Sequence, residues 1–95
     1  MVTSKEFKNE VQFWARELGV QPKEVHIRSD MTRKWGSCST KGRLSFAKDL
    51  LMESEIDRRE VIIHELLHLR YPDHGKLFKV TLNAYLNKSR ENNDG

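Results

Sequence analysis

Residues 61–75 read VIIHELLHLRYPDHG. Together with Ile56, the residues Val61, Ile62, Ile63, Leu66, Leu67 and Leu69 are too frequent for a half-exposed helix, so this segment reads as a helix buried on most of its circumference. Ser54 and Asp57 match a capping box at its start. Pro72 disfavours helical geometry at Tyr71, which places the end near Arg70. Within this apolar run stand His64, Glu65 and His68, and His74 follows the proline. Buried polar groups cost free energy unless something satisfies them, and groups at such regular spacing call for one common partner.

His64 and His68 are four residues apart, so on a helix they project from one face, one turn apart. Both imidazoles can then reach a single ion at about 2.0 to 2.1 Å. Cys38 is the only cysteine, which excludes an intrachain disulfide and a ribbon of paired cysteines and leaves His, Asp or Glu as the ligands. The expected ion is Zn2+. Glu65 neighbours the same face without being a ligand, the position of a general base in metal-assisted hydrolysis. A catalytic zinc usually takes three protein ligands and leaves a fourth position for water. His74, turned back by Pro72, is the candidate third ligand, with Asp73 as the weaker alternative. A glutamate from the last helix is disfavoured, because none occurs between Glu65 and Glu91.

Working outward, Asp73 can cap a last helix with Leu77, Phe78, Thr81, Leu82, Tyr85 and Leu86 as its packing face. The tail over 88–95 is polar and expected to be disordered. Towards the amino end, VHIR (25–28) alternates apolar and polar residues, and RKWGSCS (33–39) and GRLSFA (42–47) flank the turn-forming STKG (39–42). These predict short strands, including a hairpin, in a small, mostly antiparallel sheet. Phe7, Val11, Trp14 and Leu18 recur at helical spacing behind a capping box of Thr3 and Glu6, with Gly19 as the stop. The fold class is therefore α+β: the sheet packs on an N-terminal helix, the HExxH helix and a C-terminal helix. Residues 1–95 form one domain, since a core of this size can be closed but not divided.

Composition limits the function classes. Apolar residues make up 37% and charged residues 33% of the chain, a globular profile with a solvated exterior. The longest apolar run is too short to span a bilayer, and MVTSKEFKNEVQFW lacks the apolar stretch and cleavage site of a signal peptide. A cytoplasmic monomer with no membrane partner is expected. The net charge of +3 is unevenly placed, with Arg28, Arg33, Lys34, Lys41, Arg43 and Lys48 against Asp30 alone in that stretch. A solvated sheet edge kept soluble by charge is favoured over a nucleic-acid surface.

RKWGSCSTKGRLSFAKDLL (33–51) followed by VIIHELLHLRYPDHGKLF (61–78) resembles the YgjP-like metallopeptidase domain, a small zincin akin to the minigluzincins. The resemblance covers about residues 25–86, and the combination of a WGSC segment, HExxH and a following His carries it. It implies zinc held by His64, His68 and His74, Glu65 as base, and a sheet whose edge strand borders the cleft. Members of the family often carry a longer N-terminal region with further strands, so a near-minimal catalytic unit with incomplete subsites is expected here. The spacing from His64 to His74 also equals that of the metzincins, but Tyr71 stands where their motif has glycine, and the chain is not assigned to them.

The function expected is a zinc metalloendopeptidase acting on a protein or peptide, which would lie extended along Trp35–Ser39 or Arg43–Phe46. Tyr71, His26 and Arg33 are candidate oxyanion donors, each with an ordinary structural explanation. Trp35 and Cys38 are read as packing residues, with Cys38 as a fourth ligand in a latent form a minor alternative. The rival functions are a latent or non-catalytic zinc-binding domain, with the cleft blocked by the tail in one version, and a nucleic-acid-associated domain.

Overall fold

The reciprocal cap at the amino end forms as read. Thr3 Oγ1 accepts from the Glu6 N–H at 3.1 Å, and the Thr3 N–H donates to Glu6 Oε1 at 2.9 Å. These bonds satisfy N–H groups that the first turn of α1 (Ser4–Leu18) leaves without helical partners. Gly19 ends the helix at φ 69°, a left-handed geometry that costs glycine little. Phe7, Val11, Ala15 and Leu18 are buried, while Trp14 is half-buried, with the Arg59 guanidinium 5.4 Å from its ring centroid. The structure, a computed structural model, describes residues 1–94, with side chains through Asn87.

Three strands follow: β1 (Glu24–Arg28), β2 (Gly36–Cys38) and β3 (Arg43–Ala47), in the spatial order β1-β3-β2. The hairpin of β2 and β3 is antiparallel as expected, pairing Gly36 with Phe46 and Cys38 with Leu44. β1 runs parallel to β3, from Glu24 opposite Arg43 to Arg28 opposite Ala47, so the sheet is mixed where a mostly antiparallel one is expected. Alternation identifies a strand and its buried face but says nothing of its partner. Residues 29–35 carry the chain from the end of β1 past the place of β3 to the opposite edge, and β3 then fills the gap between them. This order makes β2 an edge strand and β3, whose Leu44 and Phe46 are fully buried, the central one.

A 3₁₀ turn over Lys48–Met52 buries Leu50 and Leu51, and Ser54 Oγ then accepts from the Asp57 N–H at 3.1 Å to open α2 (Glu55–Leu67). Ile62, Ile63, Leu66 and Leu67 are buried, but Ile56 in the first turn is exposed. The α-helix stops at Leu67, three residues short of Arg70, because the N–H groups of His68, Leu69 and Arg70 bond three residues back, at 3.2, 3.0 and 3.0 Å. Such tightening is common in a last turn. Buried Arg58 ties α2 to α1 through Glu10 at 2.8 Å and also donates to the Glu53 carbonyl at 2.8 Å.

The last helix, α3 (Lys76–Asp94), starts directly after Gly75, so Asp73 lies outside the capping position expected for it. Phe78 is buried and Leu82, Tyr85 and Leu86 pack on the core, whereas Leu77 is 67% exposed and leaves the expected packing face. The Tyr85 hydroxyl donates to the Glu17 carbonyl at 3.2 Å and so joins α3 to α1. Over 88–94, where a disordered tail is expected, the backbone continues as the end of α3, and the side chains there lie outside the described residues. Among the described residues no helix is long and apolar enough to cross a membrane.

Candidate metal centre

α2 presents His64 in its last turn and His68 at its C-cap, and the Arg70–Pro72 bend brings His74 back over both. His74 Nε2 lies 3.1 Å from His68 Nε2 and 3.2 Å from His64 Nε2, and the three ligand atoms all lie within 4.8 Å of one another. A tetrahedral ion with imidazole nitrogens at 2.0 to 2.1 Å needs those nitrogens about 3.3 Å apart. The separations from His74 therefore match a metal-sized gap to within a few tenths of an ångström.

Hydrogen-bond chemistry points the same way. His68 Nδ1 lies 3.2 Å from the Tyr71 carbonyl oxygen, which can only accept, so Nδ1 carries a proton and Nε2 is the ring nitrogen turned towards the cluster. Burial, and then the charges of His68 and His74, hold the His64 pKa below its ordinary value, favouring the neutral imidazole that ligates. Lone pairs converging on one point repel unless a cation or protons lie between them. The donor set fits a divalent metal, and Asp73 is not part of the cluster found among the described residues.

Phe78 positions all three rings. It stacks on His68 (centroids 4.7 Å apart, planes at 27°) and meets His64 and His74 edge to face at 5.1 and 4.9 Å. Sequence spacing assigns Phe78 only to a packing face; its place beneath the cluster depends on how α3 docks. Phe78→Ala is expected to cost about 3 to 5 kcal/mol, the usual range for a buried aromatic. It should also weaken metal affinity in chelator competition, whereas the exposed Leu77→Ala should change neither by a measurable amount.

Glu65 is 8% exposed and opens onto the clefts on both sides of it. Burial disfavours its carboxylate and pushes its pKa up to about 7, against the opposing charges of His74 and Lys34. Its wall is β2. A Cβ on Gly36 would lie 2.9 Å from Glu65 Cγ, 3.2 Å from Phe46 Cδ1 and 3.3 Å from Val61 Cγ1, so glycine lets the strand approach the carboxylate this closely. A glycine inside a strand is the available sequence signal for such an approach. Gly36→Ala is expected to cost about 1 to 3 kcal/mol through overpacking, read as a lowered denaturation midpoint.

The main cleft, about 980 Å³, runs between β2 with the turn after it and the wall bearing the three histidines. None of the three candidate oxyanion donors is among the residues that line this cleft. Tyr71 packs against the core, His26 on the far edge strand sits 3.6 Å from Glu24, and Arg33 lines a separate depression with Asp49. Lys34, read in the sequence only as part of the basic stretch, does line the cleft. Cys38 lines it too, but burial and the Glu65 charge raise its thiol pKa, and it stands outside the metal-ligating cluster found among the described residues. Trp35, expected to be packed, is 47% exposed. Two cations of the basic stretch are matched locally, Arg28 by Asp30 at 2.8 Å and Arg43 by Glu24 at 2.7 Å.

Residues 2–94 match the family model of the YgjP-like metallopeptidase domain. The chain belongs to the YgjP-like family. The match takes in the whole α+β unit, from α1 to the end of α3, and this YgjP-like domain carries a histidine triad able to hold a metal ion. None of the curated proteins compared with it matches.

Proposed function

We propose that this domain is a zinc-dependent endopeptidase in which His64, His68 and His74 hold the metal and Glu65 is the general base. The observation that carries this reading is the placement of a buried carboxylate directly beside three converging imidazoles, at the wall of a cleft bounded by an edge strand. Imidazole ligands suit zinc, and none of the three comes from a thiolate or a carboxylate. When bound, zinc supplies Lewis acidity that brings the pKa of water towards neutrality and polarises a carbonyl.

The rest is the work of side chains and backbone. A carboxylate whose pKa lies near the operating pH is well matched to taking a proton and returning it, so Glu65 accepts one from the attacking water and delivers it to the leaving amine. The substrate is held by β2. The Trp35 carbonyl accepts from the Ala47 N–H, and the Ser39 N–H donates to the Arg43 carbonyl, each at 2.9 Å, so alternation turns the N–H and C=O groups of Gly36 and Cys38 away from β3. Those outward groups can pair with an extended peptide main chain, giving binding with little dependence on sequence. A cytoplasmic monomer, with Cys38 as a free thiol, is the setting we propose.

Incubating the zinc-loaded domain with a reduced, unfolded protein tests the reading. Internal cleavage that stops on chelation and returns with zinc is expected. An intact substrate under those conditions, with zinc bound, contradicts the peptidase reading and favours a non-catalytic zinc domain.

A further inference from the structure

The charges around Glu65 are sorted by sign. The main cleft, on the side of the histidine wall and the turn after β2, is lined by Lys23, Lys34, Lys41 and Arg70, and its acidic lining residue is Glu65 itself. A second groove of about 540 Å³ shares Gly36, His64 and Glu65 with the first and lies towards the Trp35 end of β2. Its lining carries Glu53, Asp57 and Glu60 and no lysine or arginine. The two grooves thus meet at the proposed general base with opposite charge.

These charges are not used to hold the fold together. The acids of the ion pairs found among the described residues are Glu10, Glu24, Asp30 and Glu55, and the bases are His26, Arg28, Arg43, Arg58 and Arg59. None of the seven groove residues occurs in those pairs. Unneutralised like charges on a concave wall repel one another, and they raise the local concentration of an oppositely charged ligand. The acidic groove also offers the face of a half-exposed Trp35 beside Val61 and Leu50. An aromatic face and apolar floor under a rim of carboxylates suit the long stem and cationic head of Lys or Arg.

We propose that the cleft selects charge-split peptides, with a basic side chain on one side of the scissile bond and acidic side chains on the other. This rests on the peptidase reading above. An extended chain bonded to the outward groups of Gly36 and Cys38 covers both grooves, since those residues stand about 7 Å apart on a strand. Exposed charge pairs are individually weak and screened by salt, so several acting together should give about a tenfold preference at low ionic strength that contracts at high salt.

The test uses five labelled peptides of one length: neutral, all-acidic, all-basic, and the two charge-split orders. One split order is expected to be cleaved by the zinc-loaded domain with kcat/KM about tenfold above the other four, falling towards the neutral value as salt rises. In the double variant Asp57→Lys and Glu60→Lys the preference should move to the all-acidic peptide, whose cleavage also reports an intact fold. Equal rates for split and neutral peptides, or an unmoved preference in the double variant, overturn the proposal. If the wild type cuts none of the five, the peptidase reading fails on its own. Binding of the same peptides to zinc-loaded Glu65→Gln, followed by anisotropy, then decides the charge split separately: a split order bound tightest supports it, and equal affinities overturn it.

Discussion

Glu65→Gln is expected to lower turnover of an unfolded protein substrate by about 10² to 10⁴-fold, the range for loss of a general base, while zinc content stays at the wild-type level. The substitution keeps the shape of a buried side chain but removes the group that moves the proton. It carries a second expectation that a residue of purely structural importance does not share. In the metal-free chain burial raises the Glu65 pKa from 4.5 to about 7, so the folded state binds the proton more tightly than the unfolded state between those values. Stability from this group is fully present below about pH 4.5 and is lost as pH rises through about 7. The loss amounts to at most on the order of 3 kcal/mol. Metal-free Glu65→Gln should lack this component and unfold at a higher temperature than metal-free wild type at pH 8. Thermal unfolding at pH 5 and pH 8 with chelator present checks the sign: a variant less stable than wild type at pH 8 contradicts the account of Glu65 as a destabilised, functional carboxylate.

Removing the metal should have a comparably large effect on the fold. His64 lies on α2, His68 at its C-cap and His74 in the bend leading to α3, so an ion held by all three ties the end of α2 to the start of α3 through a segment that exposes Pro72, Asp73 and His74. A ligand that binds only the folded state at a thousand times its dissociation constant adds about 4 kcal/mol. For a domain of this size that corresponds to roughly 15 to 30 °C in Tm. Chelation is expected to lower Tm by an amount in that range and zinc to restore it. Since the His74 side chain is exposed, His74→Ala should leave the metal-free Tm near that of wild type and remove most of the zinc-dependent increment. A zinc increment of wild-type size in His74→Ala would show that the third ligand is another group.

The clustering of His64, His68 and His74 is more legible in the sequence than the order of the sheet is. HExxH is a statement about one helix, where a four-residue spacing fixes relative side-chain direction without knowledge of the rest of the fold. His74 follows after a proline-imposed bend, and its reach back over α2 needs only local geometry. The caps at Thr3 and Ser54 are equally local. The parallel pairing of β1 with β3, in contrast, depends on which strand enters the gap beside β1, and alternation in VHIR or RLSFA carries no information about that. Gly36 and Phe78 were missed for the same reason. One lies against Glu65 and the other beneath three imidazoles only after elements distant in sequence have docked. The sorting of Lys34 and Lys41 to one groove and of Asp57 and Glu60 to the other is likewise invisible along a chain in which acids and bases are interspersed.

The most direct test of the central claim is metal content by elemental analysis of protein purified without a metal-affinity tag, for the wild type and for His64→Ala, His68→Ala and His74→Ala. One zinc per chain in the wild type, lost or sharply weakened in each variant, is the predicted result. A wild type without zinc after exposure to the metal, or variants that keep it in full, would contradict a three-histidine zinc centre and the hydrolytic chemistry proposed for it.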